Sequence, residues 1–261
     1  MNIIVCLKQV PDTTEVKINP ETNTLMREGV RSIINPFDNY ALEEGVRLKE
    51  RYGGAVKVLS MGPPQAKEAL TESISLGADD AYLLCDRAFA GADTLATSYA
   101  LSQGIQKTGP YDLIICGRQA IDGDTGQVGP GIAEHLGIAF VGMVRKIREV
   151  EAGRAVVERM TDDGYEVINC TLPAVFSVVK EINEPRVPSL RGKMRARSYQ
   201  VTTWTAAEIA ADTARTGLKG SPTQVVRIFT PKRRGRGEML NGDTGEKVSA
   251  LFDRLREAGV V

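Results

Sequence analysis

Over the first 140 residues, short apolar runs alternate strictly with segments of helical periodicity, and this rhythm constrains the fold more than any other feature. Residues 2–7 are a continuous run rich in β-branched side chains, as expected of a strand covered on both faces. Residues 55–61, 80–85 and 111–116 are further strand candidates. Between them the spacing predicts a helix over 38–52, with Asp38 as its N-cap and Gly53-Gly54 as its stop, and another from Pro63-Pro64 to Gly77. Two more are predicted, from Asp93 or Thr94 to about Lys107 and over 128–136, closed by Gly137. Such alternation requires parallel strands joined by right-handed crossovers. The expected fold is therefore α/β, a doubly wound parallel sheet between two helical layers.

The rhythm changes after residue 140. Residues 140–149, 155–160, 165–171 and 174–179 read as consecutive strands, some extending the sheet edge, with turn chemistry at 151–153 and 162–164. From Asn183 the chain turns basic: Arg186, Arg191, Lys193, Arg195 and Arg197 fall in a stretch whose one acid is Glu184. A second basic run, Lys232, Arg233, Arg234 and Arg236, follows a strand-like stretch at 225–229, and an amphipathic helix is expected over about 245–257. This implies an α/β domain over 1–192 and, over 193–261, an arm with a helix that buries little core of its own and packs on a partner.

Thirty-three basic residues against thirty-three acidic ones give a formal net charge of zero, so no global field gathers nucleic acid or anionic lipid. The four cysteines, Cys6, Cys85, Cys116 and Cys170, form no CxxC pair and read as core thiols of a reducing compartment. The first residues lack the pattern of a signal peptide, and no apolar run approaches the roughly 20 residues that span a bilayer. A soluble, cytoplasmic protein is expected.

In a doubly wound sheet, ligands lie beyond the carboxyl ends of the strands. The loop after the fourth strand, residues 117–130, is longer than the usual 2–6 residues of a βα connection. Gly123, Gly126 and Gly129 let a ligand approach the backbone, Thr125 and Gln127 offer side-chain donors, and the next helix adds free N–H groups. This is an anion cradle for a phosphate or pyrophosphate, or else a bare glycine-rich surface loop. Asp122 and Asp124 hold a divalent cation or cap the helix. Lys8, the stretch Asn35-Pro36-Phe37-Asp38 and residues 60–64 open on the same edge, and together with the loop they outline a nucleotide pocket. His135, in the helix after the loop, has a surface or packing role or is a general base. No nucleophile elbow, Walker lysine or HExxH is present, which suits a cofactor that brings its own chemistry.

Asn35-Pro36-Phe37-Asp38, Ala41-Leu42-Glu43, Gly62-Pro63-Pro64-Gln65-Ala66, Gly77-Ala78-Asp79, residues 119–127 and Asn183-Glu184-Pro185-Arg186, in this order along the chain, resemble the beta subunits of electron-transfer flavoproteins. The resemblance implies an adenine nucleotide alpha hydrolase-like fold and a heterodimer whose alpha subunit holds one FAD and is wrapped by the C-terminal arm. The beta subunit binds a second nucleotide, AMP in ordinary members and FAD in the electron-bifurcating branch. Val10-Pro11-Asp12-Thr13, Ser60 to Pro64, Asp86 to Thr94, Gly123 to Pro130 and Gly220 to Gln224 look like the bifurcating branch. There the FAD accepts a hydride from NADH. One electron goes to ferredoxin or flavodoxin, the other through the alpha-subunit FAD to an acyl-CoA dehydrogenase or quinone reductase.

Carried onto this sequence, the family's nucleotide site is Cys6, Asn35, Pro36, Phe37, Asp38, Met61 and the run Gly123, Asp124, Thr125, Gly126, Gln127, Val128, Gly129, Pro130, Gly131, Ile132, Ala133 and Glu134. Residues 183–193 resemble the loop that docks a dehydrogenase, with Leu190 as apolar anchor and Pro185, Arg186 and Lys193 beside it. A solvated charged loop is the alternative. An adenine-nucleotide hydrolase or ligase on the same fold is an alternative of another class. The Ser-Gly-Gly-x-Asp-Ser pyrophosphate loop of such ligases is replaced by Lys8-Gln9-Val10-Pro11.

Overall fold

The computed structural model describes residues 1–12, 32–151, 153–226, 237 and 239–261. The described chain divides into two compact units, Met1–Val226 and Arg227–Val261. In the first, four strands of the alternating half and one from later in the chain form the core of the sheet: β1 (Asn2–Cys6), β4 (Ala55–Met61), β5 (Asp80–Leu84), β6 (Leu113–Gly117) and β10 (Ala174–Val178). The helices between them are α1 (Pro36–Tyr52), α2 (Lys67–Leu76), α3 (Thr94–Thr108) and α4 (Val128–Leu136). A short antiparallel ribbon of β2 (Gln9–Pro11) and β3 (Ser32–Ile34) follows β1.

The remaining strands are β7 (Ala139–Glu151), β8 (Arg154–Thr161), β9 (Gly164–Thr171) and β11 (Thr202–Trp204). They complete a nine-stranded sheet in the order β11-β5-β4-β1-β6-β10-β7-β8-β9. Pairing is parallel from β11 to β7 and antiparallel across β7-β8-β9. The doubly wound α/β expectation holds. Both faces of the central strands are buried: Ile3 and Val5 pack toward one helical layer with Val56, Val58 and Ile115, while Ile4, Cys6, Leu59 and Ile114 pack toward the other. That two-sided burial explains why these strands read as unbroken apolar runs.

Of the four late strands, β7, β8 and β9 extend the sheet to its edge, while β10 inserts between β6 and β7 and is buried throughout. Two expectations change. The basic stretch after residue 183 contributes to the core as α5 (Leu190–Ser198) and β11, with Ala196, Ala206 and Ile209 buried. Trp204 of β11 stacks on Tyr82 of β5 with ring centroids 4.6 Å apart, and Tyr199 Oη accepts from the Ala81 N–H at 2.8 Å. The first compact unit therefore continues past residue 192. Asp38 is not the cap of α1; Asn35 is the N-cap residue and Pro36 the first helical position.

The strand-like stretch at 225–229 is described only at Val225 and Val226, which are in no strand, and the run Lys232 to Arg236 lies outside the described residues. The second unit carries α6 (Thr244–Glu257), closed by a capping box in which Asp243 and Glu246 satisfy each other's backbone N–H groups. No helix among the described residues is long and apolar enough to cross a membrane.

Close packing of α3 on α4 depends on one glycine. A Cβ at Gly131 would stand 2.6 Å from Ser98 Oγ, and Ser98 is buried with its hydroxyl donated to the Leu95 carbonyl. Gly131→Ala should cost about 1–2 kcal/mol in urea unfolding, the lower part of the usual overpacking range. An unchanged midpoint would show that α4 shifts freely.

Candidate functional site

The chain winds from β1 outward through β4 to β5, then crosses back to β6 on the other side of β1. The winding thus reverses between β1 and β6, and a crevice opens beyond their carboxyl ends. Cys6 and Cys116 stand in register at these ends. Asp38, in the first turn of α1, bridges the two strands: Oδ2 accepts from the Lys8 N–H at 2.8 Å and Oδ1 from the Gly117 N–H at 3.0 Å. Gly117 is glycine for a steric reason, since a Cβ there would collide with the Asp38 carboxylate and the Phe37 backbone.

Asn35 completes the junction. Its N–H donates to the Lys8 carbonyl at 2.8 Å, Nδ2 donates to the Gln119 carbonyl at 2.8 Å, and Oδ1 accepts from the Ile121 N–H at 3.1 Å. Asn35 and Asp38 were recognisable as polar residues at a strand end, but their role as links between β1, α1 and the glycine loop was not. Burial pushes the Asp38 carboxyl up to about 7, although the Lys8, Asn35 and Gly117 hydrogen bonds oppose it. Burial, with the nearby Asp38 charge, pushes the Cys6 thiol up to about 12 and the Cys116 thiol upward as well. Both stay protonated, forming an unreactive apolar floor.

Above this floor the glycine loop is exposed from Ile121 to Gln127. Lys8 Nζ pairs with Asp122 at 2.7 Å, and Gln119 donates to Asp124, which takes a left-handed conformation with φ 54°. The two acids are thus bound within the loop; neither caps α4, whose N-cap residue is Gln127. No group of three or more metal-ligating side chains occurs among the described residues. The Gly123 and Asp124 N–H groups turn back to the Ala120 carbonyl. The next five, from Thr125 through Gly129, take no acceptor among the described residues. Thr94 Oγ1 donates to Gln127 Oε1 at 2.8 Å, fixing the end of the loop on α3. Arg118 stands over the Phe37 ring at 5.9 Å from its centroid, a cation at the crevice that sequence reasoning had not singled out.

The other expected site residues separate. Cys6, Met61 and 35–38 lie at the strand ends beside the loop, and Gly123 has open space around it. Gly129 is required by packing, because a Cβ would meet Cys116 Sγ at 3.0 Å and Phe140 at 3.3 Å. Ile132 and Ala133 point into the core, Val128 and Pro130 are half-buried, and Glu134 is exposed. His135 lies outside the crevice and packs edge-to-face on Tyr99 with centroids 5.7 Å apart.

In the 183–193 segment, Leu190 is 77% exposed, with Val187 and Met194 as further exposed apolar neighbours that the sequence reading passed over. Lys193 is exposed and Pro185 half-buried. Arg186 turns inward: Nε donates to Glu43 Oε2 at 2.7 Å and Nη1 to Glu50 Oε1 at 2.6 Å. It anchors the segment and does not present its charge to a partner. Asn183 helps, donating to the Tyr40 carbonyl and to Glu44 Oε2, both at 3.0 Å.

By architecture, the chain is a doubly wound α/β protein with a crevice at the switch point of its sheet, the place where such sheets take ligands. The electron transfer flavoprotein domain matches residues 22–209. The chain is 53% identical to the electron transfer flavoprotein subunit beta of Thermoanaerobacterium thermosaccharolyticum over the full length of both. It is 49% identical, again at full length, to the caffeyl-CoA reductase-Etf complex subunit CarD of Acetobacterium woodii. Protein FixA of Bradyrhizobium diazoefficiens is 43% identical over 98% of this chain and 91% of its own. The chain belongs to the electron-transfer flavoprotein family, among its beta subunits.

Proposed function

We infer that this chain works as the beta subunit of an electron-bifurcating electron-transfer flavoprotein, holding FAD in the crevice between β1 and β6. The observation that carries the nucleotide reading is the row of five unclaimed backbone N–H groups at Thr125 to Gly129, at the entry to α4. Such a row accepts phosphate oxygens, and the helix end adds a favourable partial charge. The likeness to a subunit of the caffeyl-CoA reductase-Etf complex supports the bifurcating branch. The alternative, structural AMP, would use the same groups for its single phosphate. The hydrolase or ligase reading is set aside on family membership.

When bound, the flavin supplies hydride acceptance from NADH and single-electron transfer onward. The chain's own part is binding and positioning. The loop amides fix the phosphates. Asp38 and Asn35 hold the ends of β1 and β6 and the loop at one spacing. The protonated Cys6 and Cys116 keep the floor apolar. Partners under this reading are an alpha subunit with its own FAD, ferredoxin or flavodoxin, and an acyl-CoA dehydrogenase or quinone reductase that docks on Val187, Leu190 and Met194. The charges of Arg191, Lys193 and Arg197 would steer an acidic partner. The second unit would cover the alpha subunit, with Val248, Leu251 and Phe252 of α6 offering an apolar face.

Denaturing extraction of the complex of this chain with its alpha subunit tests the reading. Two FAD per heterodimer, bleached by NADH, are expected. One FAD and one AMP would overturn bifurcation and leave the loop as a structural clamp.

A further inference from the structure

A second cavity, of about 360 Å³, lies between α3, α4 and residues 213–222, lined by Leu95, Tyr99, His135, Arg215, Lys219 and Pro222 among others. Its size falls in the range of small-molecule sites. Its charges are all of one sign. The Arg215 guanidinium carbon stands over the Tyr99 ring, 3.9 Å from the centroid, and no carboxylate among the described residues pairs with Arg215 or Lys219. The guanidinium is thus anchored on the ring while its donors stay unclaimed, and such a fork of donors suits the paired oxygens of a phosphate.

The surroundings are built rather than loose. The Asp212 N–H donates to Tyr99 Oη at 2.9 Å, and the Asp212 side chain caps the turn that carries Arg215. The Asp93 carboxylate accepts from the Thr223 N–H and hydroxyl, and its N–H donates to Ser221 Oγ, which stitches the far wall to the start of α3. Asp93 is therefore engaged in the wall and leaves the cations uncompensated. His135 lines the cavity, and its Nε2 is buried with no hydrogen-bond partner among the described residues. Buried ring nitrogens are ordinarily satisfied, so a polar group of a bound molecule would find a partner here.

We propose that this cavity is an anion site, distinct from the glycine loop, that takes a phosphoryl-bearing small molecule on Arg215 and Lys219 beside His135. The proposal does not depend on which nucleotide fills the crevice.

His135 is the one histidine of the chain, so its ring gives a single reporter signal. The test follows the ring carbons by NMR in the full-length chain, labelled at histidine, during titration with inorganic pyrophosphate at constant ionic strength. No other phosphate is present. A saturable shift is expected. Its midpoint should rise at least tenfold in R215Q/K219Q, and rise also in K219Q alone, a substitution of an exposed side chain. No saturable shift, or an unchanged midpoint in K219Q and the double variant, would each overturn the proposal. The latter would place the anion on the glycine loop. Because the extraction experiment above reads flavin content, the two readings fail separately.

Discussion

Asp38→Ala should lower the unfolding free energy by about 2–5 kcal/mol and, if the crevice is the nucleotide site proposed above, abolish nucleotide binding. The magnitude follows from what the carboxylate holds. It accepts from the Lys8 and Gly117 N–H groups at the ends of neighbouring strands, in a position only 5% exposed. Each buried donor left without an acceptor costs about 1–3 kcal/mol, and no water-sized substitute is supplied by a methyl group. The pH dependence has a definite sign. Burial raises the folded-state pKa from 3.8 to about 7, so the folded chain keeps a proton there that the unfolded chain releases. The stabilisation from that proton is complete below about pH 3.8 and is lost as the pH rises through about 7. The stability gap between the wild-type chain and Asp38→Ala should therefore shrink across that window, as read from urea midpoints at several pH values. A gap that widens from pH 4 to 7 would mean that Asp38 is ionised throughout, with the two N–H bonds outweighing burial.

Asp38 also shows where sequence reasoning stops. An aspartate at the start of a helical pattern is a good N-cap, and nothing local distinguishes that from an acceptor for amides 30 and 79 residues away. The central strands were legible because two-sided burial leaves an unbroken apolar run, and α4 was legible to the residue because a glycine loop precedes it and Gly137 ends it. The place of β10 was not. Its parallel partners β6 and β7 are chosen by crossover geometry, which leaves no local mark. The same holds for α5 and β11, where arginine-rich sequence hides a buried face as narrow as Ala196. In the candidate site the loop itself was readable, but the reasons for its glycines were not uniform: Gly123 stands in open space, whereas Gly129 and Gly131 are fixed by neighbouring side chains. Spacing alone cannot separate a glycine that admits a ligand from one that admits a serine.

Arg186→Ala should cost about 2–4 kcal/mol and, if the 183–193 segment is the docking surface, raise KM for the dehydrogenase partner at least tenfold without changing nucleotide content. Glu43 is only 4% exposed and is gripped by Arg186 and by Arg47. Removing one partner of a buried pair costs about 3–5 kcal/mol, and the figure is reduced here because Arg186 is 32% exposed and Arg47 remains. Burial works to raise the Glu43 pKa, but the hydrogen bonds and charges of Arg186 and Arg47 outweigh it and hold it below its usual value of 4.5. Its stabilising contribution is thus present above pH 4.5 and fades as the pH falls through the folded-state value, so the gap between wild type and Arg186→Ala should close in acid. Leu190→Ser supplies the contrast. That side chain is 77% exposed, so its loss should leave stability within about 0.5 kcal/mol while weakening docking to a similar degree. If Arg186→Ala loses stability as expected and both variants dock normally, the segment is a structural strap. If Leu190→Ser alone abolishes docking and Arg186→Ala spares it, the segment holds its shape without the Glu43 anchor, and the apolar side chains carry recognition by themselves.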